Sequence, residues 1–162
     1  MNWQPSQQRG LTIVEIMVSL AIASVLIGLA LPAWSGFVAQ RTLTTQLNDF
    51  VLAVQFARSE AGRQGGIVSV QAEDATDNAD EWGAGWCVVL NTPGNCNNPI
   101  RRFGPLGDNT LNGMNALDGV GTLTFNSRGL LIGAGAGTVD LCDPGEDDGR
   151  QITVSAIGRV SS

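Results

Sequence analysis

From Ile16 to Gln40 the chain carries no charged residue. The run includes Met17, Val18, Leu20, Ile22, Val25, Leu26, Ile27, Leu29 and Leu31. As a helix rising ~1.5 Å per residue it spans a ~30 Å hydrocarbon core. A removable secretory signal is the plain reading, with Arg9 as its basic flank and Leu29 to Ala33 as its cleavage region. Two features oppose it. The run exceeds the ~7–15 apolar residues of such signals, and Glu15 lies within the apolar stretch that starts at Leu11. An isolated carboxylate there costs a few kcal/mol and asks for a partner.

Composition then removes whole classes of chemistry. Of the 162 residues only 15% are charged, against roughly 25% in ordinary soluble domains, and the uncharged run accounts for the deficit. The length suits about one domain. Nine Arg and no Lys face 15 acids, giving a net charge of −6, so generic nucleic-acid binding is disfavoured for want of a basic excess. There is no His and no Tyr. Ser-His and Cys-His nucleophile pairs, imidazole bases and His-ligated zinc are therefore absent, and no cofactor, metal or enzymatic activity is expected.

The segment Arg9-Gly10-Leu11-Thr12-Ile13-Val14-Glu15, followed by the apolar run, resembles the leader of type IV pilins and type II secretion pseudopilins. The resemblance implies a prepilin peptidase cut between Gly10 and Leu11, methylation of Leu11, and an acid, Glu15, at the fifth mature position. The family more often has Phe where this chain has Leu11. It further implies that residues 1–10 are a leader, that 11–40 form a single inner-membrane span that becomes the filament core, and that 41–162 form a periplasmic globular domain. Glu15 would pair with the terminal amine of a neighbouring subunit, an ion pair sustained where either charge alone is expensive. Gly28 and Pro32 weaken a helix; family filaments melt locally near such a Pro, and ordinary tolerance in a membrane helix is the other reading.

Past Gln40 the helical period continues. Leu43, Leu47, Phe50, Val51, Val54, Ala57 and Ala61 form an apolar stripe at period 3.6, and Gly62 with Gly65-Gly66 provides the stop. Beyond it the period turns to two. Strands are expected at 67–70, 86–90, 100–103, 123–125, 139–141 and 151–154, with Gly, Asn, Asp and Pro between them. The fold class is α+β, one long transmembrane and then amphipathic helix laid on an antiparallel sheet. Ala57-Arg58-Ser59-Glu60-Ala61, Trp82-Gly83-Ala84-Gly85-Trp86, Phe125-Asn126-Ser127-Arg128-Gly129 and the closing Ile152 to Val160 stretch resemble the GspH/FimT (FimT/FimU) group of minor pilins and pseudopilins. That resemblance implies a structural subunit of a pilus or pseudopilus that helps initiate it, with other pilin subunits, prepilin peptidase and the inner membrane as partners.

Cys87, Cys96 and Cys142 would lie outside the cytoplasm, where disulfides persist. Cys87–Cys96 is favoured, because a strand followed by a short loop brings them together, leaving Cys142 free and buried; pairing of either with Cys142 stays open. The Gly133-Ala134-Gly135-Ala136-Gly137 tract lacks the sixth glycine of a dinucleotide loop and reads as a turn. Asp140, Asp143, Glu146, Asp147 and Asp148 can offer oxygens to calcium, which the related major pseudopilins hold in a loop, or form a solvated acidic loop; Glu73 to Glu81 reads as solvated too. Some FimT-type pilins take up DNA through a C-terminal Gly-Arg-x-Arg, whose second Arg is missing from Gly158-Arg159-Val160-Ser161. Arg101, Arg102, Arg150 and Arg159 are the residues left for a DNA contact.

Overall fold

The computed structural model describes residues 10–77, 79–91, 95–145 and 149–161, and for 30–33 and 35 the backbone alone. It comprises two compact units, Met1–Val38 and Ala39–Ser162, which share one helix, α1 (Ile13–Gln64).

In the first unit the described apolar side chains, among them Leu11, Ile13, Val14, Met17, Leu20, Val25 and Leu29, are exposed. A helix apolar all round belongs in a membrane or a core. Among the described residues no helix is long and apolar enough to cross a membrane. The described side chains of the run stop at Leu29 and resume only at Trp34.

In the second unit the stripe faces inward. Leu43, Phe50, Ala53, Val54, Ala57 and Ala61 are fully buried, and Leu47 and Val51 pack at the margin. The stop is the expected glycine device: Gly65 adopts φ +64°, and the Gly66 N–H reaches back to the Ala61 carbonyl at 3.3 Å. This is the 6→1 bond of a Schellman cap, which satisfies a helix-end carbonyl.

Among the described residues nine strands follow: β1 (Val68–Ala72), β2 (Trp86–Leu90), β3 (Arg101–Phe103), β4 (Thr110–Asn115), β5 (Thr122–Phe125), β6 (Leu131–Ile132), β7 (Gly137–Cys142), β8 (Arg150–Val154) and β9 (Val160–Ser161). They form two antiparallel sheets, β3-β2-β1-β5-β6 and β4-β7-β8-β9, instead of the single sheet expected from the sequence. The first is centred on β1, where Val68 lies opposite both Leu90 and Phe125. Trp86 and Val88 join the main core, while Cys87 and Val89 alternate to the other face and bury a small cluster with Cys96.

An aromatic group joins helix and sheet. The Phe50 ring meets Trp82 and Trp86 edge-on at 5.1 and 5.3 Å, and Trp86 stacks on Phe103 at 5.6 Å, geometries that the ring quadrupole favours. The segment 80–82 then fastens to β4. Leu111 N–H donates to Asp80 Oδ1 at 2.7 Å, the Leu111 carbonyl accepts from Trp82 N–H at 3.1 Å, and Gly113 N–H donates to Glu81 Oε2 at 2.9 Å. Glu81 Oε1 accepts a further bond from Gly119 N–H at 2.6 Å. Glu81 is fully buried, which corrects its reading as part of a solvated acidic run. Burial raises the Asp80 carboxyl above its usual range, against the lowering effect of the Leu111 bond.

Candidate functional site

The predicted processing segment lies at the start of α1. Residues 10–12 are not helical, no atom lies within 4 Å of a Cβ placed on Gly10, and Leu11 is 72% exposed. Thr12 is the N-cap: its hydroxyl accepts the Glu15 N–H at 3.2 Å. Thr12 and Glu15 thus stand in the Thr-x-x-Glu spacing of a capping box, with an acid in the first turn where the helix dipole favours it. The Glu15 carboxylate is exposed and has no partner among the described residues. The helix runs through Gly28 and Pro32 without interruption; the Pro32 side chain lies outside the described residues.

Cys87 and Cys96 are joined by a disulfide, with their Cα atoms 5.8 Å apart. Cys142 is free, but exposed rather than buried. The alternation of β7 explains the difference. Val139 and Leu141 point inward, so the next residue points out.

The four arginines named for DNA do not converge. Arg101 lies over the Phe56 and Phe103 rings at 5.6 and 5.0 Å. Its neighbour Arg102 is on the opposite face of β3, where Nε meets Glu73 Oε1 at 3.1 Å and the guanidinium also donates to the Cys96 carbonyl. Arg150 opens β8 in the other sheet and donates to Gln40 Oε1 at 2.8 Å. Arg159 sits past the far end of β8, in the turn before β9, so the strand separates the two by ~13 Å at ~3.3 Å per residue.

Among the described residues no group of acidic or sulfur side chains comes together as a metal site; Glu146, Asp147 and Asp148 lie outside them. Gly133 to Ala136 make the turn from β6 to β7, with Gly133 at φ +81°.

Two motifs that the sequence marked only as family signatures meet in space. Gln55, Arg58 and Ser59 on α1 line an open depression of about 360 Å³ with Ser127, Arg128 and Gly129 from the turn after β5. The signal available in the sequence is a polar stripe, Gln55, Arg58, Ser59 and Gly62, at i, i+3, i+4 and i+7. Next to it, Arg63 and Gln64 donate to Glu60, and these bonds, Arg63 first, hold its carboxyl down from 4.5 to about 2.

The family model for the type II transport protein GspH matches residues 46–158. The chain belongs to the GspH family. A second model, the prokaryotic N-terminal methylation motif, matches residues 5–31. No curated protein sequence matches significantly. Among known structures, the type IV minor pilin FimU of Pseudomonas aeruginosa is similar in two crystal forms. The P21 form has a TM-score of 0.64 and 27% identity, over 77% of this chain and 90% of that one. The P65 form has a TM-score of 0.61 and 28% identity, over 74% and 90%. The α+β class and the antiparallel sheets packed on one long helix are those of the type IV pilin fold. The Trp82-Gly83-Ala84-Gly85-Trp86 segment has a definite structural role in this chain. Gly85 sits at φ +100°, where a Cβ would lie 2.7 Å from the Phe103 carbonyl oxygen, so glycine there lets β3 close over Trp86.

Proposed function

We propose that the chain is a minor structural subunit of a type IV pilus or type II secretion pseudopilus, working by assembly and not by catalysis. The observation that carries this reading is the presence of the methylation motif over residues 5–31 and the GspH domain over 46–158 on one chain. In this reading prepilin peptidase cuts between Gly10 and Leu11, and the new amine of Leu11 is methylated. Residues 11–40 hold the subunit in the inner membrane, with 41–162 in the periplasm, and then enter the filament core. The non-helical, open backbone at residues 10–12 supports the cut, since exposed irregular segments are where proteases act. The unpartnered Glu15 carboxylate supports axial pairing with a neighbour's amine, because in an apolar core it needs a cation. Intact mass of the membrane-extracted protein tests the reading: it should lack Met1 to Gly10 and carry one added methyl group. Cleavage near Ala33 instead refutes it. Glu15→Ala should still be cut but fall markedly in sheared filaments.

A further inference from the structure

We propose that the depression between α1 and the turn after β5 is a carboxylate-binding site that receives an acidic polypeptide segment of a neighbouring subunit. The inference rests on the assembly reading above for its partner, and on the geometry of this chain for its chemistry.

The site is built on both sides. Asn126 Oδ1 accepts from the Arg128 and Leu130 N–H groups at 2.9 and 3.1 Å, and main-chain bonds of 2.8 and 3.0 Å close the turn between Asn126 and Gly129 and between Asn126 and Leu130. Ser127 and Arg128 are therefore presented on a fixed turn. Gly129 lies at φ +70°, and a Cβ there would stand 3.1 Å from Arg58 Cγ. The bare glycine lets the Arg58 stem pass against the turn, which brings the two arginines to one depression.

The charges in it are unanswered. Arg58 is half-buried and Arg128 exposed, and neither side chain takes part in an ion pair or hydrogen bond among the described residues. This occurs in a chain with 15 acids to nine arginines, where Arg63 and Arg102 do have acids. Two guanidinium groups at one depression repel, and partial burial of Arg58 weakens its hydration; an anion relieves both. Of the side chains around them, Gln55 and Ser127 carry donors, the Ser59 hydroxyl donating instead to the Phe56 carbonyl at 2.9 Å, and no acid lines the depression. A guanidinium fork matches the two oxygens of a carboxylate. Phosphate fits the same fork. However, a nucleic acid would bring a long polyanion against a chain of net charge −6, whereas an acidic side chain on a protein loop brings one or two charges within the ~8 Å screening length.

The test uses the purified full chain in detergent and fluorescently labelled peptides. Tetraglutamate should raise anisotropy on binding and tetraglutamine should not, and Arg58→Gln with Arg128→Gln should weaken tetraglutamate at least tenfold while circular dichroism stays unchanged. No tetraglutamate binding, equal binding by the variant, or tighter binding of hexathymidylate overturns the proposal. None of these outcomes depends on filament entry, so failure of the assembly reading shows separately, as wild-type chain missing from sheared filaments. The second variant exploits the absence of lysine from the chain. Arg128→Lys at this exposed position creates its only side-chain amine, and in whole cells a carbodiimide should join Lys Nζ to a nearby carboxyl carbon as an amide, the carboxyl oxygen leaving in the urea. An adduct to an Asp, Glu or C-terminus of another subunit recovered in the same filament is expected. Adducts only within the same chain, only to polypeptides that are not filament subunits, or no more than from Arg159→Lys, overturn it.

Discussion

Glu81→Gln is the sharpest test of how the segment before β2 is held. The buried carboxylate accepts two backbone N–H groups, Gly113 at 2.9 Å on Oε2 and Gly119 at 2.6 Å on Oε1. A hydrogen bond to a charged group contributes about 1.5–3 kcal/mol, and a buried donor left unsatisfied costs a similar amount. Glutamine keeps one acceptor and turns its amide nitrogen toward the other N–H, so one bond is lost, about 1.5–3 kcal/mol. Alanine loses both, about 3–6 kcal/mol, before any cavity cost. For a chain of this size each kcal/mol moves the melting temperature by about 2–4 °C, so Glu81→Gln should melt roughly 3–12 °C lower. Urea and thermal unfolding of the full chain in detergent, followed by tryptophan fluorescence, is a direct assay because Trp82 and Trp86 are both buried beside this segment. An unchanged midpoint for Glu81→Gln, or an alanine variant no less stable than the glutamine one, would refute the reasoning.

Reduction of Cys87–Cys96 should destabilise the globular unit by about 2–3 kcal/mol, the loop-entropy value for so short a closure, while Cys142 should take one maleimide without reduction because it is exposed; denaturant midpoints and mass spectrometry check both. The Glu60 carboxyl is lowered from 4.5 to about 2, so its stabilising contribution should be complete above pH 4.5 and fade as pH falls toward 2. Glu60→Gln should flatten the unfolding midpoint over that interval, and an unaltered acid limb would contradict the assignment. With its arginines dispersed, the full chain should bind double-stranded DNA no tighter than about 10⁻⁴–10⁻⁶ M at physiological salt; submicromolar, steeply salt-dependent binding lost in Arg159→Ala would overturn this.

What the sequence displays well is local. The stripe from Leu43 to Ala61 and the Gly65-Gly66 stop appear in the structure as written, because period and cap are properties of neighbouring residues. Strands rich in β-branched residues, such as Trp86–Leu90, are equally plain. Three strands escape. Thr110–Asn115 holds Gly113 and two Asn, poor strand formers that pair with β7 through long-range register, and Leu131–Ile132 and Val160–Ser161 are too short to show a period. The division into two sheets is likewise a matter of which strands find each other. Glu81 reads as solvated by composition and is buried because β4 and the loop after it, far away in sequence, each bring it one donor, Gly113 and Gly119. The arginine depression was hidden for the same reason, since Arg58 and Arg128 lie on elements that only the fold brings together.

The borders of the two sheets carry a consequence for life in a crowd of similar molecules. An open strand edge is a template on which another chain can add itself. Here β3 ends its sheet with Arg101 and Arg102, and β6 and β9 offer two residues each. The one long border strand, β4, has the outward groups of Leu111 and Gly113 already taken by Asp80, Glu81 and Trp82. Copies can therefore be packed at high local concentration without fusing strand to strand into a fibre that could not be taken apart. Contacts between neighbouring copies are then left to side chains.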